Sequence, residues 1–350
     1  MDETSNRSQH PGSLKYDEYI GSAIGDCIMS KNFGLPALKS LSCFAAVTFF
    51  STSQMCAYEC FLNADSMSAL YFVSIIAQPL FFIIMGYLDE VDKLSKIEIA
   101  FKIKSILMIM VLWNVVFSLL KTQYIQQGYI LQNGILLNMG IIYLIYPIII
   151  KAINNLKVTA AIFIGLVAII ALLDIFSPLD TTDDPLFISS YSFIWIWSGY
   201  YIVGHVLGEA PGRLFTKKHN VLLAAKLLVI PIGISMFFYE RYLSTHTQIS
   251  VAGWFVLEHL HLLAMSLALF VLFDNIDIKN RLIITIVKFI SPAMVGVYIV
   301  HYSVFYFIIT LYDFQSALLK FTLLIMVFLV SVLVSRLLLL NRFTARIISF

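Results

Sequence analysis

Charge is what this chain has least of. Lysine, arginine, aspartate and glutamate make up 13% of its 350 residues, while 60% are hydrophobic. So little charge cannot clothe a water-facing surface of this size, which excludes an ordinary soluble protein. The few charges nearly cancel, at 23 basic against 21 acidic, and this argues against a nucleic-acid partner. Cysteine is scarce too. Cys27, Cys43, Cys56 and Cys60 show no zinc-type spacing matched to histidines. Cys56 and Cys60 stand one helical turn apart, a poor geometry for a disulfide, and all four read as structural. The sequence also lacks a Gly-rich phosphate loop, a serine elbow and a zinc-protease motif.

Apolar runs fill the space instead. The spacing predicts about ten spans, each long enough to cross a bilayer. They lie near Leu38–Phe61, Met67–Leu88, Ile103–Leu120, Ile135–Ile150, Ala160–Ile175, Phe187–Leu207, Val221–Phe238, Val251–Phe273, Leu282–Leu311 and Leu319–Leu340. The ninth is long and is expected to begin with an interfacial turn before Ser291-Pro292. The fold class that follows is an all-α polytopic membrane protein, a bundle of about ten transmembrane helices, because lipid leaves the backbone no other way to satisfy its polar groups. Residues 1–34 read as a polar cytoplasmic segment without the apolar core of a cleavable signal peptide, and residues 342–350 as a short cytoplasmic tail.

Basic residues alternate from loop to loop. Lys93, Lys96, Lys102, Lys104, Lys151, Lys157, Arg213, Lys217, Lys218, Lys279, Arg281 and Lys288 share one side. The opposite loops carry Glu59, Asp65, Asp180, Asp183, Asp184 and Asp313. The positive-inside rule then places both termini in the cytoplasm.

Polar residues inside the spans are costly and therefore informative. His301 lies roughly 20 Å along its helix from Lys288, at 1.5 Å per residue, in the outer half of the membrane. It is either satisfied by a neighbouring carbonyl or hydroxyl, or it handles a proton or a substrate. Glu258 and His261, three residues apart, share a helix face at similar depth; they form a structural ion pair or a carboxylate-oriented general base. Three histidines with one glutamate could in principle hold zinc, yet they follow no recognised signature, and no metal site is expected. Gln78, before Pro79 in mid-span, is placed to bridge helices. Gly199, Gly204 and Gly208 let a neighbouring helix or a ligand approach closely.

Several motifs together resemble the membrane-bound acyltransferase-3 family. Gln78-Pro79-Leu80-Phe81-Phe82-Ile83-Ile84-Met85-Gly86-Tyr87-Leu88 is similar to its second-span signature, Pro-Leu-Phe-Phe-x-x-Ser-Gly-Tyr-Leu. Leu38-Lys39 resembles the opening Leu-Arg helix, Tyr143 with Pro147 a fourth-span pattern, and Gly296-Val-Tyr298-Ile-Val-His301 the late Gly-x-Tyr-x-x-His helix. Over 35–341 the resemblance implies a membrane domain that transfers an acyl group from acyl-CoA, acetyl-CoA above all, to a sugar hydroxyl of a surface polysaccharide or lipid-linked glycan. It implies a multi-pass protein of the cell membrane, the bacterial inner membrane in particular, with no bound cofactor. His301, or the Glu258/His261 pair, would supply the base. Lys102 and Lys104 would meet the donor's phosphates, with Gln78 and Tyr298 as further substrate contacts.

The departures from the pattern are specific. The family usually carries a catalytic histidine late in the first span, where this chain has Phe50. Phenylalanine cannot relay a proton. Lys102, Lys104 and Ser105 stand where an arginine begins the third span, and Met85 replaces the signature serine. These losses leave a second reading, a catalytically inactive homologue that binds or moves a glycan or lipid-linked sugar.

Overall fold

The computed structural model describes residues 33–56, 70, 74–120, 134–153, 155, 157–158, 160–162, 164–165, 168, 192–246, 259–309, 317–341, 344–345 and 348. Every regular element among them is helical: α1 (Gly34–Cys56), α2 (Ala77–Val91), α3 (Lys96–Leu120), α4 (Gly134–Ile153) and α5 (Ser192–Gly208) come first. They are followed by α6 (Ala210–Thr216), α7 (His219–His246), α8 (His259–Asn275), α9 (Arg281–Ile290), a 3₁₀ turn (Ser291–Ala293), α10 (Met294–Ile309) and α11 (Ala317–Leu340). Helices keep every backbone bond inside the segment, which is what a lipid solvent demands.

Five described stretches are long and apolar enough to cross a membrane: Gly34–Thr52, Gly134–Ile153, His219–Phe238, Arg281–Ile309 and Leu318–Leu340. That is half the number read from the sequence. Most of the expected fifth span, and the N-terminal parts of the second and eighth, fall outside the described residues. The third, α3, carries Lys96, Glu98, Lys102 and Lys104 in its first turns. The chain is a multi-pass membrane protein of helices, and its surface shows it. Leu329, Leu333 and Leu337 form an exposed row along α11, and Leu227, Ile230 and Ile234 another along α7. Rows of this kind would be penalised in water and are at home against acyl chains.

Local chemistry fixes the ends. Pro79 has no N–H, so the carbonyl of Ile75 loses its helical donor; the chain turns at Ile75–Ile76, and α2 begins at Ala77 with proline in its first turn. At the other end Lys93 takes a left-handed φ of 50°, and the N–H of Asp92 returns to Leu88 at 2.8 Å. The next helix opens with a reciprocal capping box: Ser95 N–H donates to Glu98 at 2.6 Å and Glu98 N–H to Ser95 Oγ at 3.3 Å.

The bundle is organised around α1, which packs against α2, α8, α10 and α11. The most intimate pair is α2 and α5. A Cβ on Gly86 would strike the carbonyl oxygen of Tyr201, and one on Gly204 that of Ile83. Gly208 is nearly as tight, at 2.9 Å from the carbonyl oxygen of Tyr87. Small residues here let two backbones touch, because packing is the main attraction available between helices in lipid. Of the glycines expected to do this, Gly204 and Gly208 do so against α2.

Candidate functional site

Two polar centres lie at opposite ends of α2. The first gathers at its first residue, Ala77. Tyr298 on α10 donates its hydroxyl to the carbonyl of Ala77 at 2.6 Å, and Ser42 on α1 meets that hydroxyl at 2.8 Å. Three helices are thus tied at one buried phenol. One turn further along α10, His301 is 8% exposed and its Nδ1 lies 2.8 Å from the carbonyl oxygen of Val297. A carbonyl only accepts, so Nδ1 holds the proton and Nε2 is the basic nitrogen. Phe50 on α1 presents its ring to His301 at 5.3 Å between centroids, with the planes at 83°. The same ring touches Tyr302 at 4.4 Å and Phe305 at 5.3 Å. Gln78, half-buried, follows directly on Ala77.

The second centre, at the last turn of α2, is not legible as a unit in the sequence. Asp89, on the last turn of α2, is 1% exposed. Lys102 of α3 reaches its Oδ1 at 2.7 Å, and the hydroxyls of Tyr143 (α4) and Tyr201 (α5) donate to Oδ2 at 3.0 and 2.7 Å. A buried carboxylate survives on this many charge-assisted donors, and four helices are joined by it. Beside it, buried His205 of α5 lies 3.2 Å from Glu90. In the sequence Asp89 simply follows an apolar run, and Tyr201 is one aromatic residue among several in another. An acid at the end of an apolar run gives no sign of which helices will close over it. The one available signal was the glycine pair Gly86 and Gly204, which brings Tyr201 down onto α2.

Lys102 therefore stands at 13% side-chain exposure with its charge balanced by Asp89, whereas Lys104 is exposed on the same helix. His261 pairs with Ser235 of α7 at 3.2 Å, while the neighbours of His301 come from α1 and from its own helix. Glu258 lies outside the described residues. So the structure brings Tyr298, His301 and Phe50 together, leaves Gln78 as the chain neighbour of Ala77, and puts Lys102 at the far end of α2. Among the described residues no group of three or more histidine, cysteine or acidic side chains could hold a metal.

A family model described as an acyltransferase domain, the acyltransferase-3 model, matches residues 32–339. No curated protein and no solved structure matches the chain.

Proposed function

This chain belongs to the acyltransferase-3 family, which makes it a membrane acyltransferase in general terms, and from that premise we propose that it carries an acyl group from cytoplasmic acyl-CoA to a sugar hydroxyl of a surface polysaccharide or lipid-linked glycan. The observation that carries the reading is the separation of the two centres. Ala77 and Asp89 mark the ends of a helical stretch of about 18 Å at 1.5 Å per residue. This is comparable to the extended reach of a pantetheine arm between its phosphates and its sulfur. With both termini and the basic loops in the cytoplasm, Lys102 and Lys104 would meet the donor's phosphates while the thioester lay near His301. Gln78 and Tyr298 would line the approach to it.

In this scheme Nε2 of His301 takes the proton of the acceptor hydroxyl as the oxygen attacks the thioester carbonyl carbon. The C–S bond breaks, the new ester forms, and the imidazolium returns its proton to the departing thiolate. The hydrogen bond to Val297 holds the tautomer this requires. His301 is favoured over His261 because its ring is fixed against Phe50 of α1, one turn from the Tyr298 phenol that meets the start of α2, while His261 faces α7. The test is thiol release from acetyl-CoA by the protein reconstituted in vesicles with a glycan acceptor. A His301→Gln variant should lose about 10²–10⁴-fold, the usual contribution of a general base. Full activity in that variant would remove His301 from the mechanism.

Phe50 favours the second reading, an inactive homologue that binds or moves a glycan, because an aromatic cluster occupies the place of the family's usual histidine. Absence of transfer by the parent together with its appearance in Phe50→His would support that reading.

A further inference from the structure

We propose that α9 lies in the plane of the membrane surface and that its basic stripe holds the headgroups of anionic phospholipids. Arg281–Ile309 is a 29-residue apolar stretch, about 43 Å if it ran as one helix. It does not run as one. The chain tightens into the 3₁₀ turn at Ser291–Ala293 around Pro292. That turn and α10 together come to about 30 Å, the thickness of the hydrocarbon core. The ten residues of α9 are left outside it.

Its side chains are arranged for a boundary. At about 100° per residue, Arg281, Thr285 and Lys288 fall within an arc of about 60°. The next arc is apolar and uncovered, with Leu282 68%, Ile286 47% and Phe289 46% exposed. Val287, 5% exposed, faces the protein. An apolar arc beside a cationic one is the pattern of a helix sunk into the headgroup–acyl boundary. Further cations converge there. Lys279 is exposed just ahead of the cap residue Asn280, and Arg336 of α11 sits over the ring of Phe289 at 5.3 Å. Lys288 sits over Phe33 at 5.2 Å. The ion pairs among the described residues, Lys102–Asp89, His205–Glu90 and Lys217–Asp274, include none of these four cations. Contact with an aromatic face leaves ammonium and guanidinium N–H groups to donate outward, and phosphodiesters are the acceptors present at that depth.

The full chain carrying Leu282→Trp, placed in nanodiscs of phosphatidylcholine with phosphatidylglycerol, tests this. Either lipid is supplied in turn with brominated acyl chains, and the parent's quenching is subtracted. Brominated phosphatidylglycerol is expected to quench about five-fold more effectively than brominated phosphatidylcholine at equal mole fraction, as one cation–headgroup contact would confer. Adding Arg281→Gln and Lys288→Gln should abolish the preference while quenching persists, whereas Lys226→Gln should preserve it. Ile286→Trp serves as a second probe on the same arc should the first variant fold poorly. Equal quenching by the two lipids overturns the headgroup claim. No quenching by either overturns the in-plane placement and points to a protein partner covering the arc.

Discussion

The rings of Phe50 and His301 meet edge to face, with centroids 5.3 Å apart. A side chain of α1 and one of α10 are thus in direct contact. Phe50 cannot exchange protons, but it fixes the plane of the imidazole. Each aromatic contact of this kind contributes about 0.5–1.5 kcal/mol beyond area burial. Phe50→Leu should keep the protein folded and lower acyl transfer about ten-fold, well short of the about 10²–10⁴-fold loss for His301→Gln. Thiol-release rates of the two variants, measured side by side, check the ranking. Equal losses would mean that Phe50 acts otherwise than by orienting the ring.

Asp89 and Lys102 form an ion pair that neither can leave alone. Asp89→Asn strands the ammonium in a mostly buried place and is expected to cost about 3–5 kcal/mol, read as a lower unfolding temperature in detergent. Combining it with Lys102→Met should recover most of that loss, because a neutral apolar pair needs no compensation. A double variant as unstable as the sum of the single variants would show that the two residues are not energetically coupled.

The α2–α5 crossing predicts opposite outcomes for two glycine substitutions. Gly204→Ala drives a methyl group into the carbonyl oxygen of Ile83, backbone that cannot rotate aside, so the cost should reach or pass the about 1–3 kcal/mol of ordinary overpacking. At Gly140 an added Cβ meets only Ile106 Cγ2, at 3.7 Å. Gly140→Ala should be neutral or slightly stabilising, since alanine is the better helix former. Yield of folded protein by gel filtration and thermal midpoint separate the two.

Tyr298→Phe removes one hydroxyl from the knot of α1, α2 and α10. The Ala77 carbonyl loses its shorter side-chain donor, keeping only Ser42 Oγ at 3.4 Å, and Ser42 loses a partner, which should destabilise by about 1–3 kcal/mol. Acyl transfer should fall modestly but persist, because His301 keeps its own bond to Val297. Complete loss of transfer with unchanged stability would assign the phenol a direct part in the chemistry.

Much of the fold was readable because lipid imposes simple rules. Apolar runs mark helices, Pro292 marks an interruption, and Gly204 and Gly208 mark a close crossing, whereas Gln78 and Pro79, expected in mid-span, stand in the first turn of α2. His301 is conspicuous in the sequence as well, since a histidine within an apolar run stands out. The Asp89 side is not. Its four members are scattered over positions 89, 102, 143 and 201, and nothing local to any of them reports the others. Lys102 likewise stands alone as a cation in the sequence, and only the fold sets Asp89 2.7 Å from it.

The sequence by itself determined the solvent, the helical class and the family, because composition, hydropathy and motif order are properties of the chain alone. Only the tertiary structure decided that Phe50 faces His301, that Tyr298 ties α1 to the start of α2, and that Asp89 balances Lys102. Those relationships depend on which helix faces meet, and helix faces are chosen by packing between segments far apart in sequence.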